Sequence, residues 1–188
     1  VEALLATIEA ELRAELSPKR YRHVLGVAET ARNLAPRAGV PEDEAVFAAL
    51  LHDRCREWPA AELEAILRRY RDVVWLDYAP VIWHGPVASY VARERYGIEN
   101  VRVLEAIYYH TTGRGAMSSL DLVLWVADYI EPGRTFPEAD VARKLAETDL
   151  EAAFRYGLSR SLIELIERGE KIHPAMWQAY NAIAGRRA

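Results

Sequence analysis

Apolar residues recur at a helical spacing along nearly the whole chain, and this periodicity limits the possible folds more than any other feature. In residues 2–16 the apolar positions are Leu4, Leu5, Ile8, Leu12 and Leu16, close to one face of a 3.6-residue helix. Ser17-Pro18 offers a capping hydroxyl followed by proline at the first helical position, where a missing N–H costs nothing. A second helix is expected from there to about Ala38, ending at Gly39. A third starts near Pro41, with Glu42, Asp43 and Glu44 in the turn where the helix dipole favours acids, and runs to His52-Asp53. A fourth covers 59–70. Residues 71–78 read as a loop in which 72–76 is short enough to be extended without changing the class. The stretch 79–97 is helical with a break or kink at His84-Gly85-Pro86. Further helices fit 99–111, 118–131, 137–148, 149–168 and 174–185, punctuated by glycine and proline. No strand alternation, repeat or long linker interrupts this pattern. The expectation is an all-α, compact multi-helix bundle of about nine or ten helices, with residues 1–188 as a single domain.

Composition excludes several classes. Hydrophobic residues are 51% and charged residues 28% of the 188, a balance that supports a sizeable core and rules out a disordered chain. No apolar run approaches the roughly 20 residues needed to cross a bilayer. The opening segment carries Glu2, Glu9, Glu11 and Glu15 where a secretory signal needs an apolar core, so a cytoplasmic location is expected; the sequence does not begin with Met, which leaves its true start open. The one cysteine, Cys55, cannot form an internal disulfide framework. A net charge of −4 argues against nucleic acid or an anionic membrane as partner, but allows a local basic pocket for a small phosphate ligand.

The chemistry concentrates on histidine. There are five: His23, His52, His84, His110 and His173. The first four each lie on an expected helix or at a helix break. His52 is followed by Asp53, and Asp128 sits in WVADYIEPGR behind the apolar stretch Leu120 to Ala127. An acid in that position is expected to be partly buried, which is costly unless it is paired or bound to metal. Imidazole with carboxylate suits Fe, Mn, Zn or Ni, and the lack of clustered cysteines argues against a thiolate site. The dipeptide His-Asp carries little by itself; the joint order and spacing carry the reading.

In that order and spacing the sequence resembles the HD-domain metal-dependent phosphohydrolases. More narrowly it is similar to their YqeK-type branch, the bacterial symmetrical diadenosine tetraphosphate hydrolases. The matching stretches are RYRHVLGVAETA, AALLHDRCR, WHGPVASYVARERYG, AIYYHTTGRGAMSSLDLVLWVADYIEPGRTFP and VARKLAETDLEAA, spanning roughly 18–153. YHTTGR and VADYIEPGR are far more specific than His-Asp. The resemblance implies metal ligands at His23, His52, Asp53, His84, His110 and Asp128. With Asp53 bridging, one metal takes His23, His52, Asp53 and Asp128, and the other takes Asp53, His84 and His110. It implies two divalent or mixed-valent ions, with iron as the metal; the residue types alone do not separate iron from manganese or other transition metals. One departure stands close to the site: Arg56 replaces the lysine common three residues after the HD aspartate, offering a planar fork instead of a point charge.

The implied reaction is hydrolysis of diadenosine tetraphosphate to two ADP, by in-line attack of a metal-bridging hydroxide on a central phosphorus. Asp53, His84, His110 and Arg134 are the candidate catalytic residues, and His52 and Asp128 join them in holding the polyphosphate through the metals. Arg134 follows the tight turn Glu131-Pro132-Gly133 just past Asp128, which places a phosphate-neutralising cation near the metals. Arg20 shares a helical face with His23, and Thr111 directly follows His110; both are phosphate candidates, with Arg114 a weaker one. Arg54, Cys55 and Arg56 are candidates for the pocket wall. His173, Pro174, Met176 and Trp177 open the last helix and are candidates for an adenine slot. Tyr108 and Tyr109 fit core packing better than chemistry, and the stripe Leu162, Ile163 and Leu165 is core or the face of a homodimer. Two other functions stay open: an HD phosphohydrolase of another nucleotide phosphoester, and a nucleotide sensor without catalysis.

Overall fold

Ten α-helices and three short 3-10 segments form the secondary structure of residues 1–185, the part of the chain described by this computed structural model. Among these residues there is no strand. The helices are α1 (Glu2–Glu15), α2 (Pro18–Leu34), α3 (Glu42–Leu51), α4 (Ala60–Arg69) and α5 (His84–Tyr96). They continue with α6 (Val101–Tyr109), α7 (Ser119–Ile130), α8 (Pro137–Ala146), α9 (Leu150–Glu167) and α10 (Pro174–Ile183). The all-α expectation holds, and no helix among the described residues is long and apolar enough to cross a membrane.

Local chemistry explains the boundaries. The Ser17 hydroxyl accepts the Arg20 N–H at 3.2 Å and opens α2. Asn100 and Asp149 cap α6 and α9 in the same way. Ser118 and Asp121 form a reciprocal capping box at the start of α7. Three expectations need correction. First, α2 ends at Leu34, not near Ala38, because Pro36 has no N–H for the helical ladder and Ala35–Ala38 tightens to a 3-10 turn. Second, residues 73–77 are a 3-10 turn and not extended. Third, His84-Gly85-Pro86 does not kink a longer helix. It begins one, with Pro86 in the first turn of α5 where a donor is not required.

α3 is buried at every position from Ala45 to Leu51. A helix that is apolar all round belongs in the centre of a bundle. Here α2, α5, α6 and α7 pack around it, and Val24, Val27, Leu50, Leu51, Val87, Ile107 and Leu124 share one core with it. A second cluster joins α7 to α8, α9 and α10 through Trp125, Phe154, Leu158, Leu162, Met176 and Ala179. Gly157 of α9 is essential to that contact, since a Cβ there would lie 2.8 Å from the Trp125 ring. The central packing brings the C-terminal end of α3 against the start of α5 and the end of α6, with α2 and α7 alongside.

Candidate metal centre

His23 lies within α2, His52 and Asp53 follow the last residue of α3, and His84 opens α5. His110 caps the end of α6, and Asp128 lies in the last turn of α7. The fold brings all six side chains together around Asp53. Asp53 Oδ2 is 3.4 Å from His23 Nε2 and 3.5 Å from His52 Nε2. Asp53 Oδ1 is 3.0 Å from His84 Nε2 and 3.8 Å from His110 Nε2. Asp128 Oδ1 lies 3.2 Å from His23 Nε2 and 4.0 Å from His52 Nε2. The two oxygens of Asp53 therefore face two different halves of one cluster. His52 stands between the halves, since it can also share an ion with Asp53 and His110.

The other nitrogen of each ring decides what the cluster can hold. Nδ1 of His52 lies 2.6 Å from the Ala49 carbonyl, that of His84 2.8 Å from the Val81 carbonyl, and that of His110 2.7 Å from the Ile107 carbonyl. A carbonyl only accepts, so in the neutral ring Nδ1 carries the hydrogen and Nε2 the lone pair. His84 Nε2 and His110 Nε2 are 3.1 Å apart, so two lone pairs and Asp53 Oδ1 converge with no donor among them. His23 Nε2 and His52 Nε2 are buried and make no hydrogen bond. Such a convergence of electron-pair donors fits a cation, and the carbonyl-locked tautomers are the usual support of metal-binding histidine.

The electrostatics point the same way. Burial pushes His52 down to about 4 and also lowers His84, which keeps both rings neutral and able to ligate. Burial opposes charge on His23 too, but the Asp128 and Asp53 carboxylates outweigh it and raise the ring to about 9. A field that draws a proton to His23 also draws a metal ion. Burial would raise Asp53 and Asp128, but the surrounding rings, and Arg134 at Asp128, hold both well below the usual carboxylate range.

Glu131 holds the fourth ring. Its Oε1 lies 3.1 Å from His23 Nδ1, while Oε2 accepts the Gly133 N–H at 2.6 Å. The carboxylate fills space that only glycine leaves: a Cβ on Gly26 would be 2.6 Å from its Oε2, and one on Gly133 2.8 Å from its Oε1. Arg143 of α8 then fixes the turn by donating to the carbonyls of Ile130, Glu131 and Arg134. Neither Glu131 nor Arg143 is among the site residues expected from the sequence. Glu131 had a signal, three residues after Asp128 on the same helical side; Arg143, on another helix, had none.

The basic candidates separate. Arg20 Nη1 is 2.6 Å from Asp53 Oδ2, and Arg134 Nη2 is 2.7 Å from Asp128 Oδ1. Both line a basic pocket of about 470 Å³ with Lys19, Arg22 and His23. Arg56 lies close enough for its charge to lower His84. Thr111, His173 and Met176 line a different pocket. Four expected pocket residues are corrected. Arg54 is buried and turned away, with Nη2 at 2.5 Å from Glu15 Oε2. Cys55 belongs to the core, where burial pushes its thiol up and leaves it unreactive. Trp177 is 42% exposed and Pro174 is also exposed, and neither lines the pocket that Met176 lines. Arg114 is bound to Asp121 and Glu105, and Tyr108 and Tyr109 pack in the fold as expected.

The HD domain family matches residues 20–133. A relative from Bacillus subtilis (strain 168), named symmetrical bis(5'-nucleosyl)-tetraphosphatase, is 38% identical over 171 residues, covering 90% of this chain and 92% of its own length. A relative of the same name from Halalkalibacterium halodurans is 35% identical over 175 residues and covers 92% of each chain. A crystal structure from Clostridium acetobutylicum, described as a predicted HD superfamily hydrolase involved in NAD metabolism, superposes with a TM-score of 0.89 at 32% identity, covering 97% of both chains.

Proposed function

The chain belongs to the HD-domain family, beside relatives named symmetrical bis(5'-nucleosyl)-tetraphosphatase, and on that premise we propose that it cleaves diadenosine tetraphosphate in the middle to give two ADP. The observation that carries the reading is the convergence of imidazole lone pairs on the two oxygens of Asp53, each ring locked from behind. That donor set suits two transition-metal ions; the family resemblance puts iron first, with manganese or another divalent ion as substitutes. His23, His52, Asp53 and Asp128 would hold one ion, and Asp53, His84 and His110 the other. When bound, such a pair supplies positive charge for the polyphosphate and activation of a water.

The chain's own residues supply the rest. Asp53 spans both halves and sets their separation. Arg20 and Arg134, lining the basic pocket beside His23, neutralise phosphate charge on that side. Arg56 does so on the His84 side, as a fork in place of an ammonium. In the reaction a water oxygen bonds to one central phosphorus as the water gives up a proton to solvent, the bond from that same phosphorus to the bridging oxygen breaks, and that oxygen leaves on the other ADP with the negative charge. Arg134 is the catalytic cation, because charge develops on the departing phosphate and preorganised cations act most strongly there. Residues 1–188 act as one phosphohydrolase domain on a cytoplasmic nucleotide.

The test is anaerobic reconstitution with iron or manganese, then chromatography of the products from diadenosine tetraphosphate. Two ADP per substrate is the expected result. AMP with ATP would place the cut at another phosphorus, and no turnover by metal-loaded protein would reject the hydrolase reading for this substrate.

A further inference from the structure

Beside the His84–His110 half of the cluster lies a pocket of about 210 Å³. Its position follows from the chain: Thr111, which lines it, is next to His110, and Val81, which also lines it, holds His84 Nδ1 through its carbonyl. Val81, Ile82, Leu165 and Met176 give it aliphatic walls. Apart from Ala79, the rest of the lining is polar or charged, with Ser161, Lys171 and an Arg168 that pairs with Glu164 and Glu170. On two of the polar lining residues, Thr111 and His173, Oγ1 and Nε2 are buried without a hydrogen-bond partner.

The state of His173 can be read from its surroundings. The side chain caps α10, with Nδ1 accepting the Ala175 N–H at 3.2 Å. A backbone N–H only donates, so Nδ1 carries the lone pair and the hydrogen of the neutral ring is on Nε2. Burial lowers the proton affinity of His173, in keeping with a neutral ring. Nε2–H is therefore a donor with a fixed direction, on a residue only 7% exposed. The ring cannot easily turn away. It stacks on Trp75 at 4.1 Å and 19°, with the Tyr78 ring edge-on at 4.7 Å. Trp75 is anchored in turn: its Nε1–H donates to Tyr108 Oη at 2.8 Å, and Tyr108 and Tyr90 both donate to Asp72 Oδ2. An unpaired buried donor is costly, and here a whole relay of side chains holds one in place.

We propose that this pocket seats the base of one nucleoside of the substrate, with His173 Nε2–H donating to a ring nitrogen and the Thr111 hydroxyl completing the polar contact. The assignment rests on the hydrolase reading above and adds to it the residue that recognises the nucleoside. A flat base suits aliphatic walls that carry fixed polar groups, and its ring nitrogens are the acceptors that a fixed donor requires. The pocket adjoins the histidine pair while the basic pocket adjoins His23, so the polyphosphate would run across the cluster from one to the other.

The test compares ADP with inorganic tripolyphosphate as ligands of the metal-reconstituted protein, by calorimetric titration. Tripolyphosphate can engage the cluster and its cations but has no base. His173→Asn keeps an oxygen able to cap α10 and withdraws the Nε2 donor. Thr111→Val keeps the shape and removes the hydroxyl, and carries the test if the first variant does not fold. Each variant should weaken ADP about tenfold or more, the equivalent of one hydrogen bond to a ligand, with tripolyphosphate affinity within about twofold. Unchanged ADP affinity would overturn the proposal. So would an equal loss of both ligands, which would put the effect in the cluster or the fold. The two readings fail separately. Variant-sensitive ADP binding without turnover of the dinucleotide sinks the hydrolase and leaves the pocket standing, whereas turnover to two ADP with insensitive variants does the reverse.

Discussion

Replacing Glu131 with Gln tests whether that residue sets the state of the candidate centre. Its carboxylate faces two donors, His23 Nδ1 at 3.1 Å and the Gly133 N–H at 2.6 Å. The amide of Gln offers one oxygen and one NH₂. If the oxygen stays on Gly133, the NH₂ meets His23 Nδ1 and the ring must accept there, moving its hydrogen to Nε2 and blocking the ligand atom. If the oxygen turns to His23, two donors face each other at Gly133. The second arrangement leaves a buried donor without its acceptor, at a cost of about 1–3 kcal/mol; in the first, the hydrogen on Nε2 meets the Asp128 and Asp53 carboxylates and the loss falls on metal binding. At about 2–4 °C per kcal/mol for a chain of this length, the second arrangement should lower the melting temperature of the chelated protein by about 2–12 °C. Loss of such an outer partner should also weaken metal binding about 10–100-fold. Gly26→Ala should act in the same direction, because its Cβ would lie 2.6 Å from Glu131 Oε2. Calorimetry of the chelated form and metal titration of each protein measure the two effects, with metal held fixed across melts because any bound ligand raises Tm. An E131Q protein with wild-type metal affinity and melting temperature would refute the reasoning.

Three further changes probe separate parts of the molecule. Asp53→Ala removes the one carboxylate that faces both halves and should abolish binding of at least one metal and lower turnover about 10³-fold or more; metal analysis and product assays read both. Arg134→Ala should lower kcat about 10²-fold with metal content intact, and loss of metal would instead make the arginine structural. Gly157→Ala would put a Cβ 2.8 Å from the Trp125 ring and should destabilise the α7–α9 contact by about 1–3 kcal/mol in denaturant titration, with activity per folded molecule unchanged.

The helices were legible because their ends carry chemistry that acts locally. Ser17, Asn100, Ser118 and Asp149 each bond an amide within three residues, and a sequence displays such pairs directly. Pro36 and Pro86 were visible too, but proline both ends and begins helices, and the choice depended on neighbours in space. The six candidate ligands were legible through their order along the chain and its resemblance to a family. Which side of the backbone they shared with other residues was not. Arg54, Cys55 and Arg56 are consecutive, but the first pairs with Glu15, the second lies in the core and only the third acts on His84. Successive residues in a helical turn point about 100° apart, so adjacency to Asp53 says little about access to the site. Trp177 failed for the same reason: one residue from Met176, it faces solvent while Met176 lines the pocket.

The position of each histidine in its helix explains why Glu131 is needed. His52 and His110 sit just past the ends of α3 and α6, and His84 follows the 3-10 segment Pro80–Ile82. Carbonyls at the end of a helix lack an amide four residues ahead and have lone pairs left to accept a side chain, even where, as at Ile107, the His110 N–H also binds at 3.4 Å. Each of these rings uses the carbonyl three residues before it: Ala49, Ile107 and Val81. The helix end thus supplies both the turn that exposes the ligand and the acceptor that fixes its tautomer. His23 has no such acceptor, because it lies within α2, where the ladder occupies the neighbouring carbonyls. Its lock has to come from another part of the chain, and it comes from Glu131, 108 residues away, seated between two glycines. Three of the rings are therefore oriented by local structure, while the fourth depends on the packing of α2 against the turn after α7. His23 is accordingly the candidate ligand most exposed to a change that leaves every helix intact.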